Sequence, residues 1–281
     1  MTILVTGGNG QLGCSLRLAS AESGHRYIFT DVEQLDITSA PAVEEFFCHE
    51  KPDVVVNCAA YTAVDMAEEN EEQADKINHL AVALLADACR RYNATLIHIS
   101  TDYLFSGEVT APYGEEVEPA PINAYGRTKL AGERAIAESG CRSIIIRTSW
   151  LYSEYGKNFV KTMLSLMASR SEVRVVADQF GTPTYAGDLA RAITYIIDSG
   201  QCDKLGIYHY SNLGECSWYD FACEIARLSG SDCTVTPCTT ADYPTKAHRP
   251  RYSTLDKSKF IATFGIAIPQ WQESLAQAVR R

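Results

Sequence analysis

The chain has 281 residues, of which 46% are hydrophobic and 21% are charged, and its formal net charge is −10. This composition is that of a globular protein with enough length for one large core or two. The acidic balance, without a basic cluster, argues against a nucleic-acid partner. No apolar run reaches the length of a membrane span, and the N-terminus enters an apolar strand rather than a secretory leader, so we expect a cytoplasmic protein.

The first strand candidate, residues 3–6, is followed by the turn Gly7-Gly8-Asn9-Gly10-Gln11-Leu12-Gly13 and then by a helical pattern. In a strand–turn–helix unit, such glycines let the backbone approach a pyrophosphate, and the helix N-terminus offers free N–H groups. The turn therefore predicts a dinucleotide site, whose cofactor-binding residues are Gly7, Gly10, Gln11, Leu12 and Gly13. A turn without a ligand is the alternative, because the glycine spacing differs from that of ordinary dehydrogenases.

The second strand candidate, residues 27–30, ends at Asp31, which lies 18 residues after Gly13. At this spacing an acidic side chain meets the adenosine ribose hydroxyls of a bound dinucleotide. Asp36 is a second candidate, near the adenine. For each aspartate the alternative is a solvated turn residue.

The first half of the chain alternates strands with helices, and the clearest helix runs from about 74 to 92. The strand candidates are 3–6, 27–30, 53–57, 95–100 and 144–148. This alternation predicts an α/β protein with a doubly wound parallel sheet of the Rossmann type. After Trp150 the pattern loosens, with helices predicted at about 158–169, 187–199 and 217–229 and strands at 173–176 and 207–210.

We therefore expect a dinucleotide-binding domain in residues 1–149, which a later segment at about 173–200 rejoins. Residues 150–281 would form a smaller and mainly substrate-binding region. Within this acidic chain, four cations become candidates for an anionic substrate: Arg147, Lys157, Arg249 and Arg251.

The strand at 95–100 delivers Thr101, Asp102 and Tyr103 to its carboxyl end, where ligands bind in open parallel sheets. Thr101 is thus placed to hold a substrate carbonyl oxygen. Tyr125 and Lys129 are four residues apart on a predicted helix and share one face. A nearby ammonium favours the ionised form of a phenol, so this pair predicts proton donation to a developing alkoxide during carbonyl reduction. A surface pair is the alternative.

The ten cysteines include no C-x-x-C pair, and Cys14, Cys58, Cys89 and Cys223 fall in apolar segments, so they read as small buried side chains. The six histidines lack the spacing of zinc ligands. We therefore predict no metal site.

Further stretches match the pattern of a known family. They are Asn57-Cys58-Ala59-Ala60-Tyr61, Ser100-Thr101-Asp102-Tyr103-Leu104-Phe105, Tyr125-Gly126-Arg127-Thr128-Lys129, Arg147-Thr148-Ser149-Trp150 and Asp178-Gln179-Phe180-Gly181-Thr182-Pro183-Thr184. With the glycine turn, they make the chain resemble the dTDP-4-dehydrorhamnose reductase family of the extended short-chain dehydrogenase/reductase superfamily.

The resemblance implies a role for each matching residue. Tyr125 would be the general acid, Lys129 would lower its pKa and bind the nicotinamide ribose, and Thr101 would hydrogen-bond the substrate oxygen. Further cofactor-site residues would be Ala59, Ala60, Tyr61 and Asn78. Further substrate-binding residues would be Asp102, Tyr103, Trp150 and Arg249. For Trp150 the alternative is a position in the core.

The resemblance also implies the reaction, which is reduction of dTDP-4-dehydro-L-rhamnose to dTDP-L-rhamnose with NADPH or NADH. A homodimer is one expected assembly. Some bacterial members bridge their dimer with magnesium through acids that include one in the first helix. Here that helix reads Cys14-Ser15-Leu16-Arg17, so we predict that Mg²⁺ is not required, although the substrate diphosphate could recruit it.

Two alternatives to this function stay open. One is a reductase or epimerase that acts on another nucleotide sugar. The other is a non-catalytic regulatory subunit that only binds a dinucleotide. The presence of Thr101, Tyr125 and Lys129 together favours catalysis, because a pure binding protein has no need of a proton donor.

Overall fold

The computed structural model describes residues 1–279. Within them the strands are β1 (Thr2–Thr6), β2 (Arg26–Phe29), β3 (Val54–Asn57), β4 (Thr95–Thr101), β5 (Arg142–Thr148), β6 (Leu151–Tyr152), β7 (Glu172–Val176), β8 (Phe180–Gly181), β9 (Thr184–Tyr185), β10 (Gly206–His209), β11 (Cys216–Ser217) and β12 (Thr234–Cys238).

The α-helices of the same residues are α1 (Gln11–Ala19), α2 (Ala40–Glu50), α3 (Val64–Ala67), α4 (Glu71–Asp75), α5 (Ala81–Tyr92), α6 (Ala124–Ser139), α7 (Phe159–Ser169), α8 (Ala186–Asp198), α9 (Trp218–Ser229), α10 (Ser258–Phe264) and α11 (Trp271–Val279). A π-helical segment, Lys76–Leu80, joins α4 to α5, and 3-10 turns lie at Asp102–Leu104 and Thr240–Asp242. None of the helices in residues 1–279 is both long and apolar enough to cross a membrane.

Six strands form one parallel sheet in the order β10-β5-β4-β3-β1-β2. Successive residues of a strand point to opposite faces, so Leu4 and Val5 enter different cores. The core on one face includes α1 and α8, and the core on the other includes α2, α5 and part of α6. The predicted doubly wound fold is confirmed, and the apolar runs of the central strands reflect their burial on both faces.

The helical stretch over residues 71–92 contains a feature that the periodicity did not predict. The π segment Lys76–Leu80 widens the helix by one residue in this turn, and it buries Asn78 completely. Helix α6 packs closely there, since a Cβ added at Gly132 would lie 2.2 Å from the Asn78 carbonyl oxygen. The position therefore accepts only glycine without a shift of one helix.

A separate apolar core lies in the later part of the chain, built from residues between Trp150 and Val279. It lies beside three short strand pairs, β6–β9, β7–β12 and β8–β11. Of the segments expected to rejoin the first domain, α8 packs in the core of the main sheet, whereas β7 pairs with β12. The functional division at residues 149 and 150 stays a prediction.

Candidate active site

The glycine turn between β1 and α1 is shaped for close backbone approach. Gly7 has φ +64°, and a Cβ there would lie 2.7 Å from the Ala59 backbone nitrogen. A Cβ at Gly13 would lie 2.4 Å from the Gly7 carbonyl oxygen. Helix α1 has Gly10 as its N-cap and no side-chain cap, so no side chain occupies its first-turn N–H groups. This is the geometry that receives a phosphate.

A cleft of about 290 Å³ opens at the carboxyl ends of β1, β2 and β3. It brings together six predicted cofactor residues: Gly7, Gly10, Asp31, Asp36, Ala59 and Ala60. The Asp31 carboxylate accepts hydrogen bonds from the backbone N–H of Asn9 at 3.1 Å and of Val32 at 2.9 Å. Hydrogen bonds from Thr38 lower the pKa of Asp36. The size and the acidic rim of the cleft fit the adenosine half of a dinucleotide.

Two residues of the predicted turn lie away from that cleft. The Leu12 side chain is buried in the core, so only its backbone is available to a ligand. The Gln11 carboxamide oxygen accepts hydrogen bonds from Ser153 at 3.0 Å and from Asn158 at 2.9 Å. Gln11 therefore also joins the glycine turn to the later part of the chain.

Asn78 joins three segments around the site. Its Oδ1 accepts from the Tyr61 backbone N–H at 2.9 Å, and its Nδ2 donates to the Tyr61 carbonyl at 3.1 Å and to the Thr128 hydroxyl at 3.2 Å. The side chain thus links the loop after β3, the π segment and helix α6. In this position Asn78 contacts other residues of the proposed site, and the role in the cofactor site that the resemblance implies for it stays a prediction.

Thr101, the last residue of β4, lies next to Tyr125 of helix α6. The Thr101 hydroxyl caps the 3-10 turn at Asp102–Leu104 by accepting from the Tyr103 N–H at 3.2 Å. Helix α6 approaches this turn so closely that a Cβ at Gly126 would lie 2.2 Å from the Tyr103 carbonyl oxygen. The Thr101 hydroxyl thereby comes close enough to the Tyr125 phenol to favour its ionised form, and the rings of Tyr103 and Tyr125 meet edge to face at 5.8 Å.

Burial dominates the electrostatics of this group. It raises the pKa of Tyr125 to about 12; the Thr101 hydroxyl opposes this shift and the Asp102 carboxylate adds to it. Burial also raises the pKa of Asp102 to about 7, against hydrogen bonds from Ser253 and Thr101. Perturbed values of this kind concentrate at functional sites.

Lys129 is buried on the same helix, and its hydrogen bonds go to β4. Its Nζ donates to the Ile99 carbonyl at 2.6 Å and lies 3.3 Å from the His98 Nε2. Burial lowers the pKa of Lys129 to about 8, and the Glu133 carboxylate opposes that shift. The lysine is therefore held by the strand that carries Thr101, one helical turn from Tyr125.

Of the four cations predicted to meet an anion, Arg249 is the best placed. Its guanidinium donates to both carboxylate oxygens of Asp65, at 3.1 and 2.7 Å, and lies near the Tyr103 side chain. Arg147 is a wrong candidate, because it is buried and paired with Glu133 at 2.7 Å. Lys157 and Arg251 are exposed.

Trp150 lies against the later core. It is one of the non-glycine residues with positive φ, at +48°, and its indole stacks on Trp218 with ring centroids 3.5 Å apart. A Cβ at Gly181 would lie 2.8 Å from the Trp150 ring, so the indole is closely packed. These contacts suit the alternative of a core position, and the predicted sugar contact of Trp150 stays a prediction.

His98, Glu133 and Asp65 were not singled out from the sequence as site residues, whereas the resemblance implied that Asn57 lines the cofactor site. Asn57 contacts His98, His98 also contacts Lys129, Glu133 pairs with Arg147, and Asp65 pairs with Arg249. Asn57 lay in a stretch that carries the family resemblance, but its partners are distant in the chain. A polar residue in an apolar strand was the available signal for both Asn57, which ends β3, and His98, which lies in the middle of β4.

Comparison with known proteins gives one family. The model described as RmlD substrate binding domain matches residues 1–281. A dTDP-4-dehydrorhamnose reductase of Aggregatibacter actinomycetemcomitans is 42% identical, over 97% of this chain and 96% of its own. Two crystal structures of dTDP-4-dehydrorhamnose reductases are similar throughout. That from Clostridium acetobutylicum has a TM-score of 0.96 at 46% identity, covering 100% of this chain and 99% of its own.

The second structure, from Bacillus anthracis, is in complex with NADP. It has a TM-score of 0.95 at 39% identity, covering 99% of this chain and 98% of its own. These similarities extend over the whole chain rather than over the dinucleotide-binding half alone. The chain therefore belongs to the dTDP-4-dehydrorhamnose reductase family.

Proposed function

We propose that this chain is a reductase that uses NADPH or NADH to convert dTDP-4-dehydro-L-rhamnose into dTDP-L-rhamnose. The observation that carries the proposal is the approach of the Thr101 hydroxyl to the Tyr125 phenol at the carboxyl edge of the sheet. The glycine cradle and its cleft lie at the same edge, because all six strands are parallel and their carboxyl ends meet there. Family membership supports the same activity.

The cofactor would lie along the carboxyl edge of the sheet. The backbone at Gly7, Gly10 and Gly13 would hold its diphosphate, because a side chain at Gly7 or Gly13 would fill the cradle. Asp31 and Asp36 would face the adenosine. When bound, the nicotinamide supplies the hydride for the carbonyl carbon.

Thr101 and Tyr125 would receive the substrate carbonyl oxygen between their hydroxyl groups. A pKa of about 12 keeps the Tyr125 phenol protonated at neutral pH, which is the form that a proton donor needs. As the oxygen gains negative charge, the phenol gives up its proton, and a positive Lys129 one turn away stabilises the phenolate. General acid catalysis of this kind contributes roughly 10²–10⁴-fold to the rate.

Asp102, Tyr103, Trp150 and Arg249 would form the substrate side. A guanidinium that already makes a paired contact with Asp65 is held in one orientation, which suits recognition of a diphosphate oxygen. The guanidinium lies near Tyr103, and the Tyr103 ring contacts the ring of Tyr125, the proposed proton donor. The nucleotide part of the substrate would thus position the sugar against Tyr125.

We also propose the assignments that concern organisation. Residues 1–149, with later segments, would bind the dinucleotide, and residues 150–281 would mainly bind the substrate. The enzyme would work in the cytoplasm, where free thiols persist; the ten cysteines are all free. A homodimer is the proposed assembly, and mass measurement in solution tests it.

The test of function is consumption of NADPH in the presence of dTDP-4-dehydro-L-rhamnose, with the product identified by NMR. The proposal predicts a rhamnosyl product and no turnover of dTDP-glucose, which lacks the keto group. Turnover of a UDP-linked 4-keto sugar in preference to the dTDP sugar would favour another nucleotide sugar as substrate. Binding of NADPH without any turnover would show a regulatory subunit.

A further inference from the structure

Asn57, His98 and Lys129 form a buried row of polar side chains behind the active site. The Asn57 Nδ2 lies 3.0 Å from the His98 Nδ1, and the Lys129 Nζ lies 3.3 Å from the His98 Nε2. Each of the three residues is at most 1% exposed. Because water is excluded, each polar atom in this row can form hydrogen bonds only with neighbouring protein groups.

The orientation of the Asn57 amide follows from its other partners. The Ala59 backbone N–H can only donate, and it lies 3.2 Å from the Asn57 Oδ1, which also accepts from the Thr6 hydroxyl at 2.6 Å. The amide nitrogen of Asn57 therefore faces His98. Since an amide nitrogen only donates, the His98 Nδ1 must accept, and the neutral ring carries its hydrogen on Nε2.

This tautomer has a consequence for Lys129. The His98 Nε2–H points at Nζ, and an ammonium group has donors only, so the charged lysine would set two donors against each other. A neutral amine has a lone pair that accepts from Nε2–H. The amine can still donate to the Ile99 carbonyl at 2.6 Å. The row therefore favours the neutral form of the lysine.

We propose that His98 is a positioning residue whose Nε2–H, fixed by the Asn57 amide, lowers the proton affinity of Lys129. The inference rests on the proposed function, in which a positive Lys129 stabilises the phenolate of Tyr125. His98 then sets the upper limit of the pH range over which this support is present. Asn57, at one end of the row, accepts a hydrogen bond from the backbone N–H of Ala59, and Ala59 lines the cofactor cleft.

The other titratable groups that face Lys129 also affect its pKa or are uncharged. On the same helix, the Glu133 carboxylate favours the ammonium, but it is engaged with Arg147. After β3, the Cys58 thiol has its pKa raised by burial and is neutral at physiological pH. Tyr125 is neutral below about pH 12.

His98 itself stays uncharged, because burial and the lysine hold its pKa well below the usual value. The Lys129 pKa of about 8 agrees with the direction that the hydrogen-bond argument requires. Burial and the histidine N–H both lower the pKa of Lys129, and the Glu133 carboxylate raises it. The variants below separate the histidine from burial.

The experiment follows the Lys129 amine directly, by NMR titration of protein containing ¹⁵N-labelled lysine, with the signal assigned through Lys129→Met. We expect a midpoint of about 8 in the wild type. Asn57→Asp places an acceptor opposite Nδ1, draws the ring hydrogen there and leaves Nε2 as an acceptor. The midpoint should then rise by at least about one pH unit.

A buried aspartate would also attract the ammonium by charge alone, so the same change is made in a His98→Phe background. If the histidine relays the effect, the shift in that background is less than half as large. An equal shift in both backgrounds would overturn the proposal. The matched control is His49→Gln, an exposed histidine, which should leave the midpoint unchanged.

Thermal unfolding establishes that each variant is folded. Should the variants not fold, the wild type can still overturn the proposal, because a midpoint near the ordinary 10.5 would show that nothing lowers the pKa of Lys129. The titration needs no substrate. It therefore separates failure of this inference from failure of the proposed reaction, which is read from product formation.

Discussion

The Asn78 amide donates a hydrogen bond to the Thr128 hydroxyl at 3.2 Å, across the contact between the π segment and helix α6. Thr128 lies between Tyr125 and Lys129 in the chain, and its hydroxyl also donates to the Tyr125 carbonyl at 3.0 Å. The position of the proposed proton donor is thus fixed partly by a residue of another helix. Because Asn78 also holds both backbone groups of Tyr61, the same side chain couples the proposed cofactor and proton-donor regions.

Asn78→Ala should lower both stability and turnover. It removes three hydrogen bonds and leaves partly buried backbone groups of Tyr61 without the Asn78 partner, which costs about 2–4 kcal/mol. Chemical unfolding measures the loss, and kcat should fall at least about tenfold because a displaced Tyr125 is poorly oriented. Asn70→Ala, which removes an exposed asparagine, is the control. Equal effects of the two changes would mean that Asn78 has no special role.

Asp102→Asn should change the pH dependence of stability. Folding raises the Asp102 pKa from 3.8 to about 7, so the carboxyl stabilises the fold most below pH 4, and this contribution is lost as pH rises through 7. The asparagine variant should therefore gain stability relative to wild type between pH 4 and pH 8, by up to about 4 kcal/mol. Unfolding at the two pH values measures this gain, with the exposed Asp232→Asn as the control. A constant difference between wild type and Asp102→Asn would contradict the prediction.

Asp31→Ala should shift cofactor preference towards NADPH. Asp31 lines the cleft that we propose for the adenosine, where its carboxylate would accept from NADH ribose hydroxyls and repel a 2′-phosphate. No arginine occurs in residues 32–38 to attract that phosphate. We expect the wild type to use both cofactors, and the variant to change the ratio of kcat/KM values about tenfold, which is about 1.4 kcal/mol. A wild type that uses NADPH alone by a wide margin would show that Asp31 does not face the ribose.

Turnover should not require a divalent metal. Helix α1 has no acidic residue in its first turn, and no cluster of three or more metal-ligating side chains occurs in residues 1–279. Magnesium sites need several oxygen ligands to offset dehydration of the ion. After treatment with EDTA, activity should stay within about twofold of its value with added magnesium, because the substrate diphosphate binds the ion only weakly. Complete loss that magnesium restores, or a dimer that dissociates on chelation, would contradict this expectation.

The fold could be predicted from the sequence because its signals are local. A strand buried on both faces, such as Val54–Asn57, is apolar up to its last residue, and the glycine turn follows a strand directly. The pair of Tyr125 and Lys129 was also visible, because residues four apart on a helix share a face. The structure places these elements where the pattern predicted them.

The electrostatic detail of the site could not be predicted in this way. The row through Asn57, His98 and Lys129 joins residues that are 41 and 31 positions apart, so no periodicity reveals it. Arg147 looked available to an anion because its partner, Glu133, is on another element and lies 14 residues away. The π segment at Lys76–Leu80 also escaped prediction, since the sequence around it continues an ordinary helical pattern.

The most direct test of the account is the single-turnover rate of Tyr125→Phe with NADPH and dTDP-4-dehydro-L-rhamnose, measured beside its NADPH affinity. The substitution removes the phenol hydroxyl that lies near Thr101 and keeps the ring that meets Tyr103. We predict a rate at least about 100-fold below wild type, with NADPH affinity within about twofold. A variant that retains more than about a tenth of the wild-type rate would show that Tyr125 is not the proton donor.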